Sequence, residues 1–397
     1  MAKNLEFYHL IIDAFAKISL QRRRKTKNRK EVSMKLQGLK IGEKVSKLPI
    51  IQGGMGVGVS MHNLAGNVAK EGGIGIISTA DIGYQEPDFN KNPMKANLRA
   101  IKTEIEKARK IAPEGIIGVN VMVALNNYAE IVKECVKNGI DLIISGAGLP
   151  KDLPEFVKGT KTKIAPIISS VRGAKLITKI WRTKHNYVPD MIVIEGPEAG
   201  GHLGFKLEEL EPEKFGKNET EKPTLEQITK EVVEEMKTVE KETGKEIPVV
   251  VAGGIFNGKD IAKFLKLGAK GVQMATRFVV TKECDASQEY KNAYINAKEE
   301  DIKIIKSPVG MPGRAIKNKF IENVEKQKQN IKKCYNCIKT CDIKTTPYCI
   351  TKALVNAVKG NIDEGLIFCG SNVGRLNKMT TVKDLMKELE VEAVESL

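Results

Sequence analysis

Nowhere in its 397 residues does the chain run through 18 apolar residues without a break, so the sequence offers no membrane-spanning helix. The early apolar stretch 7–20 is interrupted by His9, Asp13 and Lys17, and its basic residues follow rather than precede it. That is a poor secretion signal. With no such signal, an odd count of seven cysteines points to a reducing cytoplasm and away from a disulfide framework. Histidine is scarce too: only His9, His62, His185 and His202 are present.

Charge of one sign is not scarce, since the net charge is +16. The lysines nevertheless alternate with glutamates along 103–109 and 229–245, the pattern of solvated helix faces. No nucleic-acid motif accompanies them, and nucleic acid is not expected as a partner. Residues 1–33 stand apart, with nine Lys/Arg against three Asp/Glu. The stretch Arg29–Ser33 can be spelled by purine-rich codons resembling a ribosome-binding sequence, so Met34 is read as the start and 1–33 as a basic extension outside the native protein.

Eight short apolar runs, mostly rich in β-branched residues, recur at 48–52, 74–79, 116–122, 142–145, 164–169, 191–195, 248–252 and 271–278. Their near-continuity suits strands buried on both faces. Helical stretches separate them at 61–71, 94–111, 128–138, 153–158, 174–181, 225–243 and 258–267. The pattern predicts a (β/α)8 TIM barrel of the α/β class. A doubly wound open sheet is the alternative, although the Gly53-Gly54-Met55-Gly56 turn lacks its usual GxGxxG spacing.

Barrel enzymes keep their chemistry at strand C-termini, and the unusual residues of this chain gather there. Gln52, Gly53, Gly54 and Met55 follow strand one, Asn120 lies late in strand three, and Gly146 follows strand four. Glu195, Gly200, Gly201 and His202 follow strand six, and Gly253 and Gly254 follow strand seven. Gln273, Met274, Ala275 and Thr276 lie at strand eight. The last two strand ends are where barrels commonly offer backbone N–H groups to a phosphate. One phosphate with a planar ring over the mouth describes FMN better than a dinucleotide. His202, after a flexible glycine pair, is the candidate proton-transfer group; a structural helix-capping histidine is the alternative.

The ordered motifs PIIQGGM, GVNVM, SGAG, EGPEAGGHLG, VVAGGI and GVQMATRF, with GMPGRAIKNKF trailing, resemble the nitronate monooxygenase family over residues 49–320. This family was formerly called the 2-nitropropane dioxygenases. The flavin-dependent enoyl-acyl-carrier-protein reductases belong to the same superfamily. The resemblance implies an FMN-binding barrel over 34–320 with His202 as catalytic residue. It also implies FMN contacts at Asn120, Glu195, Gly200, Gly254 and Gln273 to Thr276. Glu195 stands where glutamine is usual and Ala275 where glycine is usual, and the former is closer to the reductases. The activity implied is oxidation of alkyl nitronates with O2 to a carbonyl compound and nitrite. An NAD(P)H-dependent flavin reductase acting on enoyl thioesters or quinones is the alternative. The partner is then a small molecule, and a homodimer is compatible.

Two segments fall outside this reading. Residues 205–246 are long for a βα connection and are read as an insertion, either a lid over the substrate or a surface excursion. Beyond 320 the chain is expected to form a Cys-rich, mainly helical segment. Its cysteines Cys334, Cys337, Cys341 and Cys349 fall within 16 positions. That spacing suits zinc or an iron–sulfur cluster, with unligated packing as the alternative. A cluster would make the tail an electron port or docking site for a partner. Cys135, Cys284 and Cys369 are read as packing residues, and His62 and His185 as surface or capping residues.

Overall fold

The computed structural model describes residues 35–218 and 222–397. The basic extension and the proposed start at Met34 lie outside the described residues, as do three positions inside the expected insertion. Among the described residues no helix is long and apolar enough to cross a membrane.

Eight parallel strands close into a barrel in chain order: β1 Ile50–Gln52, β2 Ile74–Ser78, β3 Ile116–Met122, β4 Leu142–Gly146, β5 Lys163–Ile168, β6 Ile192–Glu195, β7 Val249–Ala252 and β8 Gly271–Met274. β8 pairs back onto β1 through Val272↔Ile50 and Gln273↔Ile51, so the open sheet is ruled out. The two-residue period of a strand explains why both faces are apolar. Ile51, Ile74, Ile76, Ile116, Leu142, Ile144, Val193 and Val250 fill the inside, together with Leu39 and Ile41 near a short hairpin. Ile50, Ile77, Val119, Ile143, Ile192 and Val251 point outward into the layer shared with the helices.

The surrounding helices are α1 His62–Lys70, α2 Pro93–Ile111, α3 Tyr128–Lys137, α4 Leu153–Val157, α5 Val171–His185, α6 Leu225–Thr243 and α7 Gly258–Lys266. Asn92, Ser170, Thr224 and Asn257 cap α2, α5, α6 and α7 by accepting the N–H three residues on. Helix α1 presses so tightly on β2 that a Cβ at Gly75 would stand 1.8 Å from the Ala65 carbonyl oxygen. Even alanine there would force the two elements apart.

Three expectations change. Strand eight ends at Met274, not Phe278, because Ala275 turns the chain into a helical turn, Thr276–Val279, with Phe278 and Val279 fully buried. A short buried apolar run reads alike as strand or helix. Residues 225–243 are no insertion. They form α6, which packs on α5, β6 and β7 and buries Leu225, Ile228, Val232 and Met236, so the excursion shrinks to 203–224, whose described part holds the short helices Leu207–Leu210 and Pro212–Phe215.

The tail is not a separate helical segment either. Residues 36–397 form one compact unit, and 327–349 hold almost no regular structure. Helix Val382–Ser396 packs against both α7 and α1 and supplies the ring's eighth helix, with Leu385, Met386, Leu389 and Ala393 buried. It meets α7 closely: the Gly258 N–H donates to Glu392 Oε2 at 2.8 Å, and a Cβ there would meet Ala393 N at 2.3 Å. The hundred residues between β8 and this helix also carry the strands Ile302–Lys306 and Pro312–Ile316, which pair with Gly201–His202 in a small antiparallel sheet.

Candidate active site at the barrel mouth

One cavity at the C-terminal ends of the strands is lined by Gly53, Gly54, Met55, Asn120, Gly146, Glu195, Gly200, Gly201, His202, Gly253, Gly254, Gln273, Met274, Ala275 and Thr276. Every candidate of the barrel reading is therefore on its wall except Gln52. That side chain is fully buried behind the wall. Its Oε1 accepts the Ile76 N–H and its Nε2 donates to the Ile76 carbonyl, both at 3.1 Å. Gln52 thus extends the pairing of β1 with β2 and fixes the glycine turn that follows.

The wall also contains residues that strand-end reasoning does not reach. Tyr290, Tyr294, Leu354, Phe368, Cys369 and Gly370 come from the long connection after β8. Nothing in their local sequence marks them, because they reach the cavity through tertiary packing. Cys369, read as a packing residue, is buried yet lines the cavity, and burial pushes its thiol up to about 12.

Backbone packs against backbone here, which is what the glycines permit. A Cβ at Gly200 would stand 2.6 Å from the Cys369 carbonyl carbon. Gly253 and Gly254 both take left-handed φ, +96° and +85°, and the Asn372 amide donates to the Gly254 carbonyl at 2.8 Å. The Arg314 guanidinium donates to the Ala199 carbonyl, and the Tyr294 hydroxyl to that of Phe368. The result is a rigid cradle with Asn120, Gln273 and Thr276 as side-chain donors and acceptors. A flat heterocycle with polar edges fits this set. The Gly253-Gly254 and Ala275-Thr276 turns lie on the same wall, at the strand ends where barrels commonly bind a phosphate. No Lys or Arg lines the cavity among the described residues, so peptide dipoles would have to meet the phosphate charge.

Two groups on the wall have displaced ionisation. Burial pushes the Glu195 carboxyl up to about 7, against the opposing pull of the Gly204 N–H, which donates to its Oε1 at 3.0 Å, and of Arg314. When protonated, Glu195 offers one donor and one acceptor, as a glutamine would. Burial likewise pushes His202 down to about 4, so its imidazole is neutral at neutral pH.

His202 is fixed from two sides. Its Nε2 lies 2.6 Å from Ser307 Oγ, and its ring meets Phe368 edge-on at 4.9 Å. Ser307 Oγ also accepts the Val309 N–H at 3.3 Å. With Nε2 engaged, Nδ1 is the nitrogen left for substrate, and Ser307 is a positioning residue absent from the sequence reading. Ser307→Ala is expected to lower turnover about fivefold, the worth of roughly 1 kcal/mol for one hydrogen bond, with FMN content unchanged. Steady-state rates and released flavin check this.

The other two histidines among the described residues are structural. His62 Nδ1 lies 2.6 Å from Glu104 Oε2 at the start of α1, and His185 Nε2 lies 2.9 Å from the Lys151 carbonyl oxygen. Cys135 and Cys284 are buried, as expected of packing residues. Cys334, Cys337, Cys341 and Cys349 are free thiols. Among the described residues, no three His, Cys, Asp or Glu side chains converge in a geometry that would hold one metal ion.

The probable nitronate monooxygenase of Staphylococcus saprophyticus is 28% identical over 314 residues, which is 72% of this chain and 80% of that protein. A Rhodococcus jostii (3aS,4S,5R,7aS)-5-hydroxy-7a-methyl-1-oxo-octahydro-1H-indene-4-carboxyl-CoA dehydrogenase is 22% identical, over 88% of this chain and 93% of its own. Among solved structures, FabK from Thermotoga maritima superposes with a TM-score of 0.66 at 23% identity, covering 88% of this chain and 93% of that one. Nitroalkane oxidase from Streptomyces ansochromogenes gives 0.65 at 19% identity, covering 88% and 97%. The nitronate monooxygenase family profile matches residues 39–392. A barrel whose mouth gathers the glycine turns, Asn120, Gln273 and His202 into one cavity, matched by that profile along nearly its whole length, belongs to the nitronate monooxygenase family, whose members are FMN-dependent oxidoreductases.

Proposed function

We propose that the protein oxidises alkyl nitronates at FMN, two nitronates and one O2 giving two carbonyl compounds and two nitrite ions. The observation that carries this reading is a neutral imidazole fixed on the wall of a glycine-lined cavity that no cationic side chain lines among the described residues. FMN would supply the acceptor for the substrate's electrons and their route to O2. Asn120, Gln273, Thr276 and the turns at Gly253-Gly254 and Ala275-Thr276 would hold it. A neutral His202 can take the α-proton of a nitroalkane on Nδ1 while Ser307 steadies Nε2. An imidazolium that holds a preformed anion would work only near pH 4. Met122, Ile167 and Phe368 give the substrate an apolar wall.

A second reading is favoured by Glu195, whose carboxyl replaces the family's usual glutamine: an NAD(P)H-dependent reductase of enoyl thioesters or quinones. Anaerobic mixing separates the two. An alkyl nitronate alone is expected to bleach the oxidised-flavin band. Bleaching by NADH or NADPH and not by nitronate would establish the reductase instead.

The four tail cysteines are proposed to take a second cofactor, a thiolate-bound metal, zinc or iron–sulfur. Four free thiols within 16 positions of one irregular stretch support it.

A further inference from the structure

We infer that the pocket between the tail stretch 320–335 and the helix Ile350–Val358 binds the adenosine diphosphate end of a molecule whose other end reaches the flavin cavity. The inference rests on the FMN cavity and not on the choice between nitronate and reductase chemistry.

The pocket has a volume of about 440 Å³, within the range of small-molecule sites. Lys332, Lys333 and Lys352 line it, and none of the three pairs with a carboxylate among the described residues. Other lysines of the same connection are matched: Lys303 with Glu325, Lys317 with Glu322 and Lys319 with Asp363. Asp363 is also on the pocket wall, but Lys319 already neutralises it. Glu364 is then the one acid set against three ammonium groups. That excess suits the two phosphates of a diphosphate. It extends beyond the pocket, since 326–352 carries seven lysines and one acidic residue, Asp342. Such a field draws anions in.

The rest of the wall suits a purine. Phe320 and Tyr348 meet edge-on at 5.2 Å and give an apolar side. Asn323, Gln329 and Asn356 bring amides that can both donate and accept. The wall is held in place by the protein itself. Lys333 Nζ donates to the Asn90 carbonyl and the Tyr335 hydroxyl to Asn90 Oδ1, in the barrel loop after β2. The Tyr335 ring stacks on Phe89 at 5.5 Å. The Gln329 N–H donates to the Pro347 carbonyl at 2.9 Å and closes the stretch on itself. A wall ordered in advance lowers the entropic cost of binding.

The helix Ile350–Val358 joins this pocket to the flavin site. Lys352 and Asn356, four residues apart, face the pocket, whereas Leu354 faces the flavin cavity. The partition is one helix thick, about 10–12 Å. An extended dinucleotide or the pantetheine arm of a CoA thioester is long enough to pass it. The diphosphate therefore belongs to a nicotinamide reductant or to a thioester substrate.

The test titrates ADP into the FMN-loaded full chain by calorimetry, without turnover, so its result does not depend on which flavin chemistry holds. ADP is expected to bind about 10-fold or more tighter than adenosine or inorganic phosphate, each of which fills only part of the site. Lys332→Glu/Lys352→Glu should weaken ADP about 10-fold or more, as loss of hydrogen bonds from charged donors does, with FMN content unchanged. Lys332→Arg/Lys352→Arg should retain it. Displacement of ADP by NADH names the reductant, and displacement by CoA names the thioester. No ADP binding, adenosine or phosphate bound as tightly as ADP, an unchanged affinity in the glutamate variant, or displacement by neither molecule overturns the inference.

Discussion

His202→Ala is expected to leave FMN bound and to cut turnover by about 100-fold or more, the range that a positioned proton-transfer group supplies. The flavin should stay because His202 is tied to Ser307 and Phe368, away from the glycine turns that would carry the phosphate. The wild-type pH profile sharpens the test. Burial holds the imidazole near 4, so the base is available throughout the neutral range and kcat/KM should fall only as pH drops toward about 4. That acid limb should be missing in the alanine variant. Rates from pH 4 to 9, with flavin content measured at each pH, decide it. Unchanged turnover would remove His202 from the chemistry.

Glu195→Gln should stabilise the protein at high pH and have only a small effect at pH 5. The folded state holds the Glu195 proton up to about 7, whereas the unfolded chain releases it near 4.5. Between those values the folded state binds more protons, so wild-type stability falls as pH rises through this window. At pH 5 little of that loss has occurred. Above 7 the variant avoids it, a gain with an upper bound of about 3 kcal/mol at 1.36 kcal/mol per pKa unit. Thermal midpoints at pH 5 and pH 8.5 are the check. An equal gain at both would mean that packing, not ionisation, separates the two side chains. Any step in turnover near pH 7 should vanish in the same variant.

The barrel was legible because β-branched runs alternate with amphipathic helices, and its mouth because barrels place chemistry at strand ends. Eleven glycines and polar residues, with Met55, Met274 and Ala275, could be located beside His202 from that rule alone. The rule failed where an amide looks the same in two roles: Gln52 sits at a strand end but turns inward to pair with Ile76. It was silent on Ser307, Tyr290, Tyr294 and Phe368, which reach the cavity from a connection whose path only tertiary packing sets. The tail misled for a similar reason. Its last helix carries an ordinary amphipathic pattern, and no local signal says that α7 and α1 leave a groove for it.

That groove has a consequence for synthesis. The ring is incomplete until Val382–Ser396 has emerged from the ribosome, and so is the cavity wall until Phe368 to Gly370 has. A nascent chain with all eight strands exposed still presents the apolar flanks of its first and seventh helices, and it lacks one wall of its cofactor seat. Flavin capture therefore reports a finished polypeptide, and a premature stop anywhere in the tail should yield a colourless, chaperone-bound product, not a smaller working enzyme.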